Sequence, residues 1–277
     1  MVMVVESELL SMSWWYERLK DLTIPARRVE LGDVRKMLYE AYLVAVDHDL
    51  NPLVCREIAS ALVRKLEPFK VLHDALKEEI ERHGAVFVRG DKASPKDVCV
   101  HWYWYFEDAV RCRVSWLPST CLNACLASDP LTAIGLLVAS ERVIMIGDPS
   151  VVWIRSPARL SDEVRVFVYG GRPLLVSWYY YRNPAPESID NVVRRYLELI
   201  PTITRRLGVD TYTVDMGMIH SKPIVVDLAP FPTKERNVVD PILFEKDFWR
   251  MLEEAEKKSK IILRATFARR EVRDIEI

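Results

Sequence analysis

The segment YTVDMGMIHSKPIVVDLAPF, residues 212–231, predicts a β-hairpin with two extended runs, 211–218 and 223–228, around the polar turn HSK. If Ser221 is the centre of that hairpin, Asp215 and Asp227 each lie six residues from it and pair directly. Directly paired residues have Cβ atoms about 5 Å apart on one face of the sheet. The sequence therefore predicts two carboxylates held side by side on neighbouring strands.

Two carboxylates in this position repel each other, so we expect something to compensate their charge. A divalent cation is the simplest candidate, because Mg²⁺ favours one or two carboxylates together with the phosphates of a substrate. The alternative is a different register, in which Asp215 and Asp227 are solvated at strand edges. Spacing alone leaves both interpretations open.

The composition is that of an ordered globular protein with a sizeable core. Of 277 residues, 50% are hydrophobic and only 9 are glycine, which fits one large domain or two closely packed lobes. The formal net charge is −1, so we expect no direct nucleic-acid binding, which usually requires a basic excess.

Several other classes of protein are disfavoured by the sequence. The opening MVMVVESELL is interrupted by Glu6 and Glu8 and lacks the features of a signal peptide, and no apolar run approaches the about 18 residues of a membrane span. The five cysteines show no paired zinc-ligand spacing. We find no GxxxxGK[ST], GxGxxG or GxSxG motif, which disfavours P-loop, Rossmann and α/β-hydrolase proteins. We expect a cytoplasmic protein without membrane contact.

Periodicity and turn signals predict helices first and then strands with interspersed helices. The predicted helices are Val34–Val46, Val54–Leu66, Phe69–His83 ending at Gly84, Pro130–Ser140 capped by Asp129, Ile189–Leu207 kinked at Pro201, and Pro241–Lys258. The predicted strands are Ala85–Arg89, Val143–Ile146, Val151–Arg155, Glu163–Tyr169, Leu174–Tyr180 after a Gly170–Gly171 turn, and Lys260–Phe267. This order indicates an α+β protein of two or three lobes.

Charged side chains at the strands supply a candidate ligand site. In Glu163–Tyr169 the alternation of a strand brings Glu163 and Arg165 to the same face, and Arg89 and Arg155 end apolar runs. Arginine binds phosphate in a bidentate manner, and carboxylates hold the metal that bridges phosphates, so the set suits a nucleoside triphosphate with Mg²⁺. A cross-strand salt bridge at the surface is the alternative for Glu163 and Arg165.

These segments resemble the ATP-grasp superfamily and, within it, the cell division cycle protein 123 family. The match keeps the order of the family's motifs over about residues 13–231. Each motif is loose alone, and together they are fairly specific. The segments are SWWYERLKDLTIPARRVEL (13–31), VFVRGDKASPKDV (86–98), DPLTAIGLLVASERVIMIGD (129–148), VVWIRSPARLSDEVRVFVYGGRPLLVSWYYYRN (151–183) and VVDLAPF (225–231).

The resemblance implies an α+β ATP-grasp-like fold, two α+β lobes with the nucleotide site between them. Residues 1–84 would be the mostly helical part of the first lobe, and residues 85–277 the nucleotide-binding region with a C-terminal helix and strand. It implies phosphate contacts from Arg89 and Arg165 and a less certain one from Lys96. Asp215 and Asp227 would hold Mg²⁺. The remaining implied nucleotide-binding residues are Arg155, Ser156, Pro157, Ala158 and Glu163, with Ser156–Ala158 near the adenine through backbone groups.

The sequence departs from the family pattern at three positions. Ala229 stands where the family has an Asn metal ligand, Asp91 replaces another Asn, and Arg89 replaces Lys. With a neutral oxygen ligand lost, we expect weaker metal binding or a single Mg²⁺. Arg in place of Lys keeps the charge but changes the geometry.

Three functions remain open. The family is associated with assembly of the heterotrimeric translation initiation factor two, so the chain would bind ATP·Mg²⁺ and act on that factor's γ subunit. Alternatively, it is an ATP-dependent carboxylate–amine or carboxylate–thiol ligase that works through an acyl-phosphate. In the third case, it is a scaffold without nucleotide binding. No catalytic residue or acceptor site is identifiable.

Overall fold

The computed structural model describes residues 9, 11–102, 126–178, 184–233, 247–267 and 271–277. The helices are α1 Met12–Leu19, α2 Arg35–Asp47, α3 Pro52–Lys65, α4 Glu67–His83, α5 Lys96–Trp102, α6 Pro130–Ala139, α7 Glu141–Met145, α8 Ile189–Leu197, α9 Ile200–Leu207 and α10 Phe248–Lys258, with a 3₁₀ turn at Lys20–Leu22. The strands are β1 Ala26–Glu30, β2 Val86–Gly90, β3 Leu126–Ala127, β4 Val151–Arg155, β5 Ser161–Tyr169, β6 Arg172–Trp178, β7 Tyr212–Ile219, β8 Lys222–Ala229, β9 Ile262–Thr266 and β10 Val272–Glu276. No helix in the described ranges is both long and apolar enough to cross a membrane.

The chain divides into two compact units. One consists of Pro25–Ala158, and the other combines Met1–Ile24 with Arg159–Ile277. Each contains helices and its own sheet, which is the predicted α+β class. This spatial division is of a different kind from the functional division at residue 84, which stays a prediction.

In the unit Pro25–Ala158, an antiparallel four-stranded sheet has the order β1-β4-β2-β3. Val86 and Val88 of β2, with Val152 and Ile154 of β4, pack into a core that the helices α2 to α7 also supply. The helix α6 lies within this core, because all its residues from Ala133 to Ala139 are buried. One face of the sheet therefore carries the core of the unit.

In the second unit, a six-stranded sheet has the order β10-β9-β6-β5-β7-β8. Strands β6 and β9 are parallel, and the other neighbours are antiparallel. Phe167 and Leu175 of this sheet pack against α10 through Phe248, Met251 and Leu252. The ring centroids of Phe167 and Phe248 are 5.0 Å apart. This apolar cluster fixes α10 over one end of that face of the sheet.

Helix boundaries follow the capping signals of the sequence. The side chain of Asp129 accepts a hydrogen bond from the N–H of Thr132 at 3.0 Å, with Pro130 as the first helical residue, as predicted. Gly84 ends α4 with φ of 79°, a conformation that glycine adopts without strain, and this prediction is also confirmed. The predicted turn Gly170–Gly171 has positive φ at both residues, as a two-residue hairpin turn requires.

Two element predictions are wrong. Val143–Ile146, expected as a strand, lies mostly in helix α7, because Ser140 caps the N–H of Val143 at 3.1 Å. Such a short apolar run cannot be distinguished as strand or helix by periodicity. The region Ile189–Leu207 forms two helices, with Pro201 in the first turn of α9, where its missing N–H is harmless.

Other boundaries differ in extent. The predicted helix Pro241–Lys258 corresponds to α10, and residues 241–246 lie outside the described residues. The last two residues of the predicted strand Leu174–Tyr180 also lie outside them. Strand β1 has no counterpart in the predictions, and the mixed-charge C-terminal stretch contains β10.

Candidate functional site

The hairpin of β7 and β8 pairs Asp215 directly with Asp227, which confirms the predicted juxtaposition. The route differs from the prediction. The turn has two residues, His220 and Ser221, with φ of 47° and 63°, and Ile219 pairs with Lys222. An irregularity between the Met216–Val225 and Asp215–Asp227 pairs then inserts Val226 and shifts the register by one residue. The bulge thus brings the two carboxylates opposite each other.

Arg165 of β5 lies directly opposite Asp215, on the other side from Asp227. Its Nε donates to Asp215 Oδ1 at 2.7 Å and its Nη2 donates to Asp215 Oδ2 at 3.0 Å. The side chains of Arg165 and Asp215 are only 17% and 8% exposed. A bidentate, largely buried pair of this kind is stronger than a surface salt bridge. The protein itself therefore supplies part of the charge compensation that the sequence led us to expect from a metal.

The row of charged residues extends across the whole sheet. Directly opposed residues share a face, and the paired positions run Asp274, Arg264, Ser177, Arg165, Asp215, Asp227 from β10 to β8. The prediction included only the last three charged members, because pairing between distant strands is not visible in local spacing. We call this set the polar row.

At the other end of the polar row, Arg264 binds two carboxylates. It donates to Asp274 at 2.7 and 3.0 Å and to Asp247 at 2.8 and 3.1 Å. Burial opposes the ionisation of Asp247, but hydrogen bonds from Arg264 and Arg250 outweigh it and lower its pKa. The hydrogen bonds from Asp274 and Asp247 raise the pKa of Arg264 further, although burial opposes this. This cluster joins the N-terminus of α10 to β9 and β10.

Beside the polar row lies a less polar row of Phe167, Thr213 and Ala229. Ala229 offers no side-chain oxygen next to Asp227. The Thr213 hydroxyl is buried and has no hydrogen-bond partner among the described residues, in a residue that is 1% exposed. The neutral side-chain ligand that the family has at position 229 is therefore not replaced on that strand.

Glu163 lies two residues before Arg165 on β5 and is buried. The register of β5 and β7 is irregular between Ser161 and Val164, and Asp162 has φ of 53°. Tyr196 of α8 donates to the carbonyl of Asp162 at 2.7 Å, which anchors this irregular backbone. The alternative of an exposed surface bridge for Glu163 and Arg165 does not apply, since Glu163 is buried and Arg165 binds Asp215.

The other predicted residues belong to the unit Pro25–Ala158. Arg89 of β2 pairs with Trp153 of β4, and Arg155 lies two residues further along β4, so the two arginines share a face. Both are buried, and Arg89 Nε donates to the carbonyl of Gly90 at 3.2 Å. The indole N–H of Trp153 donates to Asp91 at 2.9 Å. This face thus carries two buried cations and a buried carboxylate.

Lys96 begins α5, after a loop that backbone hydrogen bonds fix in place. Lys92 N–H donates to the carbonyl of Gly147 at 2.7 Å. A Cβ at Gly90 would lie 2.8 Å from that same carbonyl oxygen, so the close approach requires glycine there. Next to Lys96, Asp97 accepts a hydrogen bond from Ser140 Oγ at 2.7 Å. The start of α5 is therefore tied to the start of α7.

Ser156, Pro157 and Ala158 follow β4 at the end of this unit. The N–H of Ser156 donates to the carbonyl of Pro25 at 3.1 Å, and its Oγ lies 3.3 Å from His83 Nε2. The Ser156 N–H is therefore engaged in holding β4 beside the segment before β1. Any backbone contact to adenine from this segment would use other groups.

The carboxylates of the hairpin suit a single Mg²⁺. Asp215 and Asp227 supply hard oxygen ligands, and Mg²⁺ normally keeps several waters and binds one or two carboxylates with substrate phosphates. Asp215 shares its oxygens with Arg165, and Asp227 Oδ1 accepts the N–H of Leu228 at 3.1 Å. No group of three or more metal-ligating His, Cys, Asp or Glu occurs in the part of the chain that the structure describes. The donors fit an ion that is bound together with phosphate.

Comparisons with known proteins agree with this architecture. Residues 128–232, from just before α6 to just after β8, match a family model of the ATP-grasp domain, clade family 3. The fold is similar to that of Cdc123 from Schizosaccharomyces pombe, with a TM-score of 0.55 and 16% identity over 84% of this chain and 88% of that chain. A C-terminally truncated Cdc123 from the same organism gives a TM-score of 0.52, with the same identity and coverage. A search of curated proteins found no match.

The fold and the family match define an ATP-grasp protein. Within that class, the chain is Cdc123-like.

Proposed function

We propose that this protein binds ATP with Mg²⁺ and acts as an assembly factor for the heterotrimeric translation initiation factor two, through its γ subunit. The observation that carries the proposal is the contiguous set of Arg165, Asp215 and Asp227 within the ATP-grasp match. The partner comes from the resemblance to the cell division cycle protein 123 family. With this partner, the protein works in the cytoplasm.

The proposed ligands divide by unit. In the unit Pro25–Ala158, Arg89 and Lys96 bind phosphate oxygens, and Arg155 adds a second buried cation on the face of Arg89. In the other unit, Arg165 contributes a further cation and Glu163 a carboxylate for metal or ribose. The segment Ser156, Pro157 and Ala158 contributes backbone groups for adenine. Residues 85–277 thus hold the proposed nucleotide-binding region, and residues 1–84 complete the first lobe.

Asp215 and Asp227 are the proposed metal ligands. A bound Mg²⁺ would neutralise the β- and γ-phosphate oxygens. Arg165 holds Asp215 in place from one side, so Asp215 is oriented before any ion arrives. Ala229 removes a neutral oxygen, which supports one weakly held ion that enters with ATP. Such a site is adequate for binding that shapes a partner surface.

A ligase is the second candidate, and the ATP-grasp family match supports it. Arg89 and Arg165 would then stabilise charge on the transferring phosphoryl group, and the carboxylate substrate would become an acyl-phosphate. ADP release that depends on an added carboxylate and amine would favour this function over the assembly role.

The proposed site is tested by calorimetric titration of ATP with and without Mg²⁺. We expect Mg²⁺-dependent binding that is lost in Asp227→Ala. The matched control is Asp274→Ala, which removes a carboxylate from the opposite end of the polar row and should leave ATP binding unchanged. No binding by folded wild-type protein would refute both ATP-dependent functions.

The partner is tested separately by a pull-down with the γ subunit from the same organism, in the presence and absence of ATP·Mg²⁺. We expect capture that ATP·Mg²⁺ strengthens and that Asp227→Ala weakens to the nucleotide-free level. If ATP binds but the γ subunit is not captured, the assembly role is wrong and the nucleotide site stands.

A further inference from the structure

The helix α2, RKMLYEAYLVAVD, is apolar on two faces. Leu38 and Ala45 are buried in the core of the unit Pro25–Ala158. Tyr39, Leu43 and Val46 are spaced by four and three residues and form a stripe on the outer side, where they are 42%, 44% and 41% exposed. A helix with apolar residues on both sides normally has a partner on each. The described residues cover only the inner side.

The exposed apolar surface continues beyond α2. A groove of about 460 Å³ lies between the start of α2 and α7 and includes Tyr39 and Met145 in its lining. Met145 and Ile146 are themselves 57% and 61% exposed. Contiguous apolar surface with a charged rim is typical of a protein interaction site.

The charged residues at the ends of α2 are arranged against the helix dipole. Arg35 and Lys36 lie in the first turn, where a helix favours anions, and Asp47 lies in the last turn, where it favours cations. None of the three forms an ion pair with any residue in the described ranges. Each arrangement destabilises an isolated helix, so a favourable partner is missing at both ends.

The two unmet requirements are complementary. In a second copy of α2 aligned antiparallel, Asp47 lies beside the first turn of the first copy, where Arg35 and Lys36 are. The same contact recurs at the other end by two-fold symmetry, and the apolar stripes meet at the centre. One arrangement therefore compensates the charges, the dipoles and the exposed apolar area.

We propose that two copies of this protein associate through α2, packed antiparallel in a symmetric dimer. The α2 face that forms the interface consists of Arg35, Lys36, Tyr39, Leu43, Val46 and Asp47. Its contact is isologous, so each residue meets its complement twice and the assembly closes at two copies.

Sedimentation equilibrium of the full chain, from about 1 to about 200 µM, tests the association. We expect a monomer–dimer equilibrium for the wild type and at least about a ten-fold higher dissociation constant for Leu43→Glu. The matched control is Val44→Glu on the same helix. Val44 is 48% exposed but lies about 100° around the helix from Leu43, away from Tyr39 and Val46. This variant should dimerise like the wild type.

Charge reversal tests the antiparallel orientation. Arg35→Asp and Asp47→Arg each place like charges at both ends of the interface and should weaken the dimer. The double variant, and an equimolar mixture of the two single variants, restore opposite charges and should recover it. A parallel arrangement would not be rescued in the double variant.

A wild type that stays monomeric throughout this range overturns the proposal and leaves the face to another partner. A dimer that Val44→Glu disrupts as much as Leu43→Glu also overturns it, as does failure of the double variant to recover association. Far-ultraviolet circular dichroism of each variant establishes that it is folded.

Discussion

Arg165 and Asp215 lie directly opposite each other on β5 and β7 and are joined by hydrogen bonds of 2.7 and 3.0 Å. On its other side, Asp215 faces Asp227. One guanidinium is thus the nearest cation across the strands to a pair of opposed carboxylates. The stability of this part of the sheet and its capacity to bind a cation depend on the same three residues.

We first predict that Arg165→Met destabilises the ligand-free protein by about 2 kcal/mol, because it leaves the largely buried Asp215 beside Asp227 without its guanidinium. Adding Asp215→Asn should recover part of that loss, since the repulsion between the carboxylates is then removed. Urea denaturation of the single and double variants measures both effects. A single-variant cost below about 0.5 kcal/mol would show that the pair contributes little to stability.

The second prediction concerns Ala229, which shares a face with Asp227 two residues away on β8. Ala229→Asn adds a neutral oxygen beside the two carboxylates. We expect about a ten-fold tighter Mg²⁺-dependent binding of ATP, equivalent to about 1.4 kcal/mol. Calorimetric titration measures it, with Ala229→Val as a control of similar bulk and no oxygen. Equal affinities for the Asn and Val variants would place the metal elsewhere.

The contact between Asp215 and Asp227 was predictable, but not its geometry. The sequence spacing assumed a three-residue turn, whereas the protein uses a two-residue turn and a bulge at Val226. The two differences cancel in the register. A bulge depends on how a strand packs against its neighbours, so a single strand's sequence does not determine it.

Local signals predicted well those elements that local chemistry determines. The capping of α6 by Asp129 and the end of α4 at Gly84 depend on residues within one turn of the boundary. The cluster of Arg264 with Asp247 and Asp274 was missed, because it requires β6 and β9 to lie side by side in parallel. The charge pattern of the C-terminal stretch was its only signal in the sequence.

The third prediction concerns the buried hydroxyl of Thr213, which has no hydrogen-bond partner in the described structure. Leaving such a group unsatisfied costs about 1–3 kcal/mol, so Thr213→Val should stabilise the protein by about 1 kcal/mol. Urea denaturation measures the gain. Thr213→Ser, which keeps the hydroxyl and loses a methyl group, should give no gain. If the Val variant is less stable than the wild type, the hydroxyl is satisfied in solution.

The fourth prediction concerns the pH dependence of stability from Asp247. Its pKa in the folded protein lies below 3.8, because Arg264 and Arg250 outweigh the opposing effect of burial. A lowered folded-state pKa contributes stability that is fully present above the unfolded value and is lost as the pH falls through the folded value. The Arg264 cluster should therefore weaken below about pH 4.

Urea denaturation of wild type and Asp247→Asn between about pH 7 and about pH 3 measures this contribution. At neutral pH the variant should be less stable by about 1–2 kcal/mol, because Arg264 keeps a weaker acceptor. The difference should shrink as the solution is acidified, since the wild type then loses the same charge. Asp33→Asn, at an exposed position without an ion pair to any described residue, should show no such convergence. A difference that stays constant across the range would mean that the contribution of Asp247 does not depend on its ionisation.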